Sequence, residues 1–268
     1  MTEDERLALL RIKLDRANQH FVDLQSAAIA FFDGKPYEIA SKHDPHSRKL
    51  IYYMIRVDPV PLKISAIAGD TIQNLRSVLD HLARQLFLVA GIGNPETEFN
   101  FPIFNKASDY ETRMKGIAKT LRRDAIEALR SIEAYKGGKG HDIWVLNRLN
   151  NIDKHRLLVA VGSSMRSVDI GALMRIELQR MMSRRGETFE LPEIPVFLRP
   201  ADNMCPLKVG DELFIDAPDA EHNDKMQFRF DIAFNEPGVV EGKSVIETLK
   251  DLVNLIGNIV VAFKPCLR

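Results

Sequence analysis

GDTIQNLRSVLDHLARQL, residues 69 to 86, is the stretch that decides the fold. At roughly 100° per residue, Ala68, Leu75, Leu79, Leu82 and Leu86 share one side of a helix, which predicts a helix with a core-facing stripe. Asp70, Asn74, Ser77 and His81 fall within an opposing stripe about 60° wide. A packing helix has no need of so many polar, proton-handling groups in its middle. WVLNRLNNIDKHRLL, residues 144 to 158, has the same character. There Asn147, Asn151 and His155 climb one side at i, i+4 and i+8, while Val145, Leu149 and Ile152 form the apolar side. Two such helices side by side predict a bundle with a shared polar pocket.

The rest of the chain is placed around these helices. Thr2 and Glu5 have the spacing of a capping box, and apolar residues from Leu7 to Phe31 recur at three- and four-residue steps, so a long first helix ends near Asp33-Gly34-Lys35-Pro36. β-Branched and aromatic runs on either side of HDPHS predict a hairpin over residues 37–57, read as a small cover on the bundle. The first motif helix runs from after Pro61 to about Gly91, and EFNFPIF follows as a loop that docks two phenylalanines. Residues 108–134 read as two shorter helices, 141–156 as the second motif helix, and Ser244–Phe263 as a last helix. On that last helix Val245, Leu249, Leu252, Ile256, Ile259 and Val260 form the buried face. Between them VFLRP, PLKVGDELFIDAP and MQFRFDIAF are short strand-like runs divided by Gly, Pro and Asp. Residues 166–186 fit strand and helix equally. The expected class is α+β: one domain over 1–268, with a helical bundle (1–156 and 240–268), an N-proximal β-hairpin, and an antiparallel β-rich insertion at about 157–239.

Lys plus Arg equals Asp plus Glu at 37 each among 268 residues, so no overall field recruits nucleic acid or an anionic membrane, and such binding needs a local patch. No apolar run is long enough for a membrane span, and the acidic, amphipathic start lacks the features of a signal peptide, so the expected location is cytoplasmic. Cys205 and Cys266 are far apart in sequence and read as structural thiols. Asp70, Asp80, His81, Asp153 and His155 could supply metal donors, but no HExxH, ExxH or paired-cysteine spacing organises them, and no cofactor or metal is expected. GxGxxG, Walker A, GxSxG and CxxC are all missing from the sequence. Basic residues gather in RMKGIAKTLRR (113–123), in KGGKGH (136–141) and at Arg175, Arg180, Arg184 and Arg185; the first run can be read as a phosphate-tracking face beside the polar pocket, and solvated faces balanced by nearby acids are the ordinary reading.

Arg76 and His81 in NLRSVLDHLARQL stand at the R-x4-H spacing that resembles HEPN domains, helical bundles that include metal-independent RNases. With NIDKHR, FPIF and CPLKVGDEL the chain as a whole also resembles a widespread group of bacterial proteins of uncharacterised activity. The HEPN resemblance implies an endoribonuclease, or an inactive relative of one, with RNA as partner and a homodimer as its assembly. Arg76 would stabilise the phosphorane charge while His81, with His155 as a second acid–base group, moves protons as a 2′-hydroxyl attacks phosphate. Asp70, Asn74, Ser77, Asp80, Asn147, Asn151, Asp153 and Lys154 would support them. Arg76 and His81 lie about 140° apart around a helix, so a bent arginine, or one from a dimer partner, is needed. The residues also support another reading, a non-catalytic module that binds a small ligand or a protein. In that case Arg76–Asp80 is an i, i+4 ion pair and Lys154, His155 and Arg156 face a helix C-terminus.

Overall fold

The structure is a computed structural model that describes residues 1–92, 100–165, 168–169, 197–198, 203–223 and 228–268. It is α+β, and the chain divides into two compact units: one of residues 1–30, 61–160 and 234–268, the other of 31–60 and 161–233. The first is helical, the second mainly β. The basic residues Arg175, Arg180, Arg184 and Arg185, Phe99, and most of the ambiguous 166–186 stretch lie outside the described residues.

Six α-helices are described: α1 (Glu3–Asp33), α2 (Leu62–Val89), α3 (Ala107–Ile117), α4 (Arg123–Ile132), α5 (His141–Asp153) and α6 (Val245–Ala262). The expected capping box opens α1, with Thr2 N donating to Glu5 Oε2 at 2.8 Å and Glu5 N to Thr2 Oγ1 at 3.2 Å. α2 begins directly after Pro61, which fixes the entry to its first turn. It stops in a Schellman motif: Gly91, at φ +77°, donates to Leu88 O, and Ile92 donates to Phe87 O. The apolar side of α2 is buried from Ile64 to Leu86, and the helix packs on α5 and α6. On α6 all six residues expected to face inward are buried, and Ser244 caps its first turn by accepting from Glu247 N. α5 is shorter than its expected 141–156. It ends at Asp153, and a tight turn in which both His155 N and Arg156 N donate to Ile152 O carries the chain away. That turn lets Arg156 reach Glu236, only 1 % exposed, with Nη1 and Nη2 donating to its two carboxylate oxygens at 2.9 and 2.6 Å. Glu236 Oε1 also accepts Val159 N–H at 2.8 Å, so one buried carboxylate ties the exit from α5 to the segment before α6.

In the β unit the expected hairpin forms from β1 (Tyr37–His43) and β2 (Lys49–Val57). Asp44 organises its turn, accepting from His46 N, Ser47 N and Ser47 Oγ, and these hydrogen bonds hold its carboxyl below the usual range. Strands β3 (Ala160–Met165), β4 (Val168–Asp169), β5 (Phe197–Leu198), β6 (Asn203–Met204), β7 (Glu212–Pro218) and β8 (Arg229–Phe234) follow. Read from sequence, the hairpin is a small β element covering the bundle. In the structure β2 pairs antiparallel with β7, giving the order β1-β2-β7, while β6-β3-β8 and β4-β5 form the other sheets. Met54, Leu207 and Leu213 are the buried centre of this unit, with Tyr37, Ile39, Phe228 and Phe230 packed around them. The Tyr37 hydroxyl is buried without a hydrogen-bond partner against Gly162, and burial is the main cause that pushes its pKa up to about 12.

Candidate functional site

Helices α2 and α5 run antiparallel in contact. The Asp153 carboxyl group lies over Gly69, and two turns along α2 Arg76 Nε donates to Asn147 Oδ1 at 3.0 Å. Position 69 has no room for a β-carbon, which would collide with the Asp153 carboxyl. Further along the same helix pair a cavity of about 460 Å³ opens, a size typical of small-ligand sites. Gln73, Arg76, Ser77 and Asp80 line it from α2, and Asn147, Asn150, Asn151 and Lys154 from α5. Both sets have the spacing i, i+3, i+4, i+7, which keeps four side chains on one helical face.

The opposite wall is the segment Asn100-Phe101-Pro102-Ile103-Phe104, with Arg113 contributed by α3. This wall is tied down at both ends. Phe101 N–H donates to Asp80 Oδ1 at 3.0 Å, while Phe104 N–H donates to Ala134 O and Phe104 O accepts from Lys136 N. Phe101 is 3 % exposed, so the expected docking of this loop holds at that residue. Arg76 lies against the wall's anchor. Its Nη1 stands 2.5 Å from Asp80 Oδ1, an ion pair by distance, yet the approach is off the N–H directions and the buried Nη1 has no hydrogen-bond partner among the described residues. The charge contact is real, and the hydrogen bond is missing.

Floor and rim differ in charge. Arg76, with its side chain 11 % exposed, is compensated by Asp80, and beside it Asn150 is 4 % exposed. The Asn150 amide makes no hydrogen bond to another described residue. Arg113 and Lys154 are exposed at the rim and have no ion-pair partner among the described residues. The lining therefore carries three cations and one carboxylate, together with five amide side chains. Such a surface recognises charge and hydrogen-bonding groups; no histidine or cysteine is among its lining residues.

Of the residues singled out from sequence, Arg76, Ser77, Asp80, Asn147, Asn151 and Lys154 meet at this cavity, and Asp70, Asn74, His81, Asp153 and His155 do not line it. Asn74 Nδ2 and Ser77 Oγ donate back to the backbone oxygens of Asp70 and Gln73. Asp70 is exposed, and Asp153 has its carboxyl pushed up, first by burial and then by the charge of Asp70. His81 is exposed on α2 and His155 is exposed in the turn beyond α5; neither imidazole hydrogen-bonds to another described residue. Sequence reasoning missed Gln73, Asn100 and Asn150, whereas Arg113 belongs to the basic run 113–123, for which a phosphate-tracking face beside the pocket is one reading. A signal for two of them was present, since Gln73 and Asn150 complete the four-residue stripes that the cavity uses. Among the described residues no group of three His, Cys, Asp or Glu gathers as a metal site, and no helix is long and apolar enough to cross a membrane. Comparison of the chain with protein-family models, with curated proteins and with solved structures gives no match.

Proposed function

We propose that the helical unit binds a small, polar, negatively charged ligand in the cavity between α2, α5 and residues 100–104. The observation that carries this reading is Asn150: a side-chain amide 4 % exposed on a cavity wall with no partner among the described residues. The amide faces the cavity and is not sealed in the core, so its donor and acceptor ends are open to a ligand. The unpaired charges of Arg113 and Lys154 set the sign of the ligand. The test is thermal unfolding at low salt with phosphate, pyrophosphate, citrate and sugar phosphates. A ligand at a hundred times its Kd stabilises by about 2.7 kcal/mol, and the Arg113→Ala/Lys154→Ala variant should lose that response. If no anion raises the melting temperature of the wild type above that of the variant, the reading fails.

A second reading, metal-independent RNA cleavage by a homodimer, keeps one supporting observation: Arg76 lines the cavity and the exposed His81 of the same helix has a free imidazole. It requires RNA to lie across the surface of α2 so that both side chains, or those of two copies, meet one phosphate. Incubation of wild type and Arg76→Ala/His81→Ala with RNA in EDTA checks it. Cleavage by wild type alone, leaving 2′,3′-cyclic phosphate ends, would support it over pure binding.

A further inference from the structure

We infer, on the basis of the binding reading above, that the ligand is a phosphate ester of a polyhydroxylated skeleton, oriented with its phosphate at the Arg113–Lys154 rim and its hydroxyls on the Asn147–Asn150–Asn151 side. The division of the cavity carries this. At the rim a guanidinium from α3 and an ammonium just past the end of α5 stand exposed and uncompensated. A phosphate monoester brings nearly two negative charges near neutral pH and three terminal oxygens, enough to engage both cations. A lone carboxylate brings one charge and leaves the other cation unmatched. Deeper in, the charge is already balanced, because Asp80 compensates Arg76. Beside that pair stand amides: the Asn147 oxygen is engaged by Arg76 Nε, while the Asn150 and Asn151 side chains keep a donor end and an acceptor end without a partner among the described residues. A hydroxyl, which both donates and accepts, pairs with either end. A second anionic group would face amide oxygens, and a hydrocarbon would cover the amides without hydrogen-bonding them. The Phe101–Pro102 part of the wall supplies an apolar surface for the C–H side of such a skeleton.

The same monoester chemistry exists in a free sugar phosphate and at a 5′-phosphorylated end of RNA, whereas the internucleotide diester brings only one charge, so the experiment has an arm for each monoester source. Calorimetric titration at low salt would use inorganic phosphate, ribose, ribose 5-phosphate, citrate, a short single-stranded 5′-phosphorylated oligoribonucleotide and its deoxy counterpart. Ribose 5-phosphate, or the oligoribonucleotide in its place, should bind at least tenfold tighter than inorganic phosphate. Whichever of the two binds names the source. Asn150→Leu should shrink that margin to threefold or less and leave phosphate affinity unchanged, whereas Arg113→Ala/Lys154→Ala should weaken phosphate and ester together. Asn151→Ala, at an exposed position where folding is not at risk, should reduce the margin in the same sense. Equal affinity for phosphate and ester, equal binding of the ribo- and deoxyribo-oligonucleotides, or a preference for citrate would overturn the inference and leave anion binding standing. Absence of binding by every probe would overturn the binding reading itself.

Discussion

The helical unit contains two arginine–carboxylate pairs that look alike in a list of contacts and differ in what they leave unfinished. Arg156 and Glu236 meet through two well-directed hydrogen bonds, and the buried carboxylate also accepts a backbone N–H, so its capacity is used inside the protein. Arg76 and Asp80 meet at comparable distance, but one guanidinium nitrogen is buried without a hydrogen bond, and the pair sits on a cavity beside an unpartnered amide. A completed pair holds elements together. An incomplete one at a cavity has free valence for something else, and this difference separates structural polarity from site polarity better than residue type does.

The contrast is broken most directly at Glu236. Glu236→Ala strands the Val159 N–H and the Arg156 guanidinium; because half of the arginine side chain is exposed and can turn to water, the expected cost is about 3 kcal/mol, the low end for opening a buried pair. In a chain of this size that lowers Tm by roughly 6–12 °C. Gly69→Ala probes the closed end of the α2–α5 contact. The substitution gains up to about 1 kcal/mol in helix propensity, and the collision with Asp153 costs roughly 1–3. A net loss near 1 kcal/mol is expected in a denaturant melt, turning into a gain in the Gly69→Ala/Asp153→Ala double variant. Arg76→Met should cost less than about 1 kcal/mol, since Asp80 keeps its bond from Phe101 N–H, while weakening the ligand-induced shift in melting temperature, because Asp80 is then left uncompensated at the cavity. If Arg76→Met destabilises as much as Glu236→Ala, the distinction between the two pairs is wrong.

The smallest effect is a pH dependence at Asp153. Its folded-state pKa is raised, by burial first and by Asp70 second, so the folded protein holds this proton more tightly than the unfolded chain. The resulting stabilisation is complete below the unfolded value, and it disappears as pH rises through the folded value. At neutral pH the charged carboxylate is a liability. Asp153→Asn should therefore be more stable than wild type at pH 7, and the difference should close as pH falls toward 4, measured by urea unfolding across that range.

The helices were legible because their burial is one-sided. All six inward residues of α6, the capping box of α1 and the glycine stop of α2 follow from spacing and local chemistry that do not depend on distant partners. The two motif helices also pointed to a shared polar cavity. Which polar face turns inward was harder to read. Asp70, Asn74, Ser77 and His81 form a tight stripe, but the cavity takes Gln73, Arg76, Ser77 and Asp80, rotated around the helix because Gly69 must sit under Asp153. His155 was misplaced because the end of α5 is set by the pull of Glu236 on Arg156, a partner eighty residues away. The same holds for the Asn100–Phe104 wall, which reaches the cavity through long-range contacts that no local pattern encodes, whereas the basic run that opens at Arg113 already pointed to a charged face beside the pocket.

The pairing of β2 with β7 has a consequence for how the chain comes off the ribosome. The hairpin is translated early, but the strand that covers its outer edge, Glu212–Pro218, emerges only after all of α2 to α5. Until then the backbone donors and acceptors of Lys49–Tyr53 on that side face solvent as an open edge, a surface on which another nascent chain can add a strand. Polar guards stand at the start of that strand and across from it: Lys49 opens β2, Lys42 lies over the Tyr53 ring, and Arg48, just ahead of the strand at φ +58°, pairs in the finished fold with Asp219, which follows β7. The edge is thus charged while it waits and neutralised once it is closed.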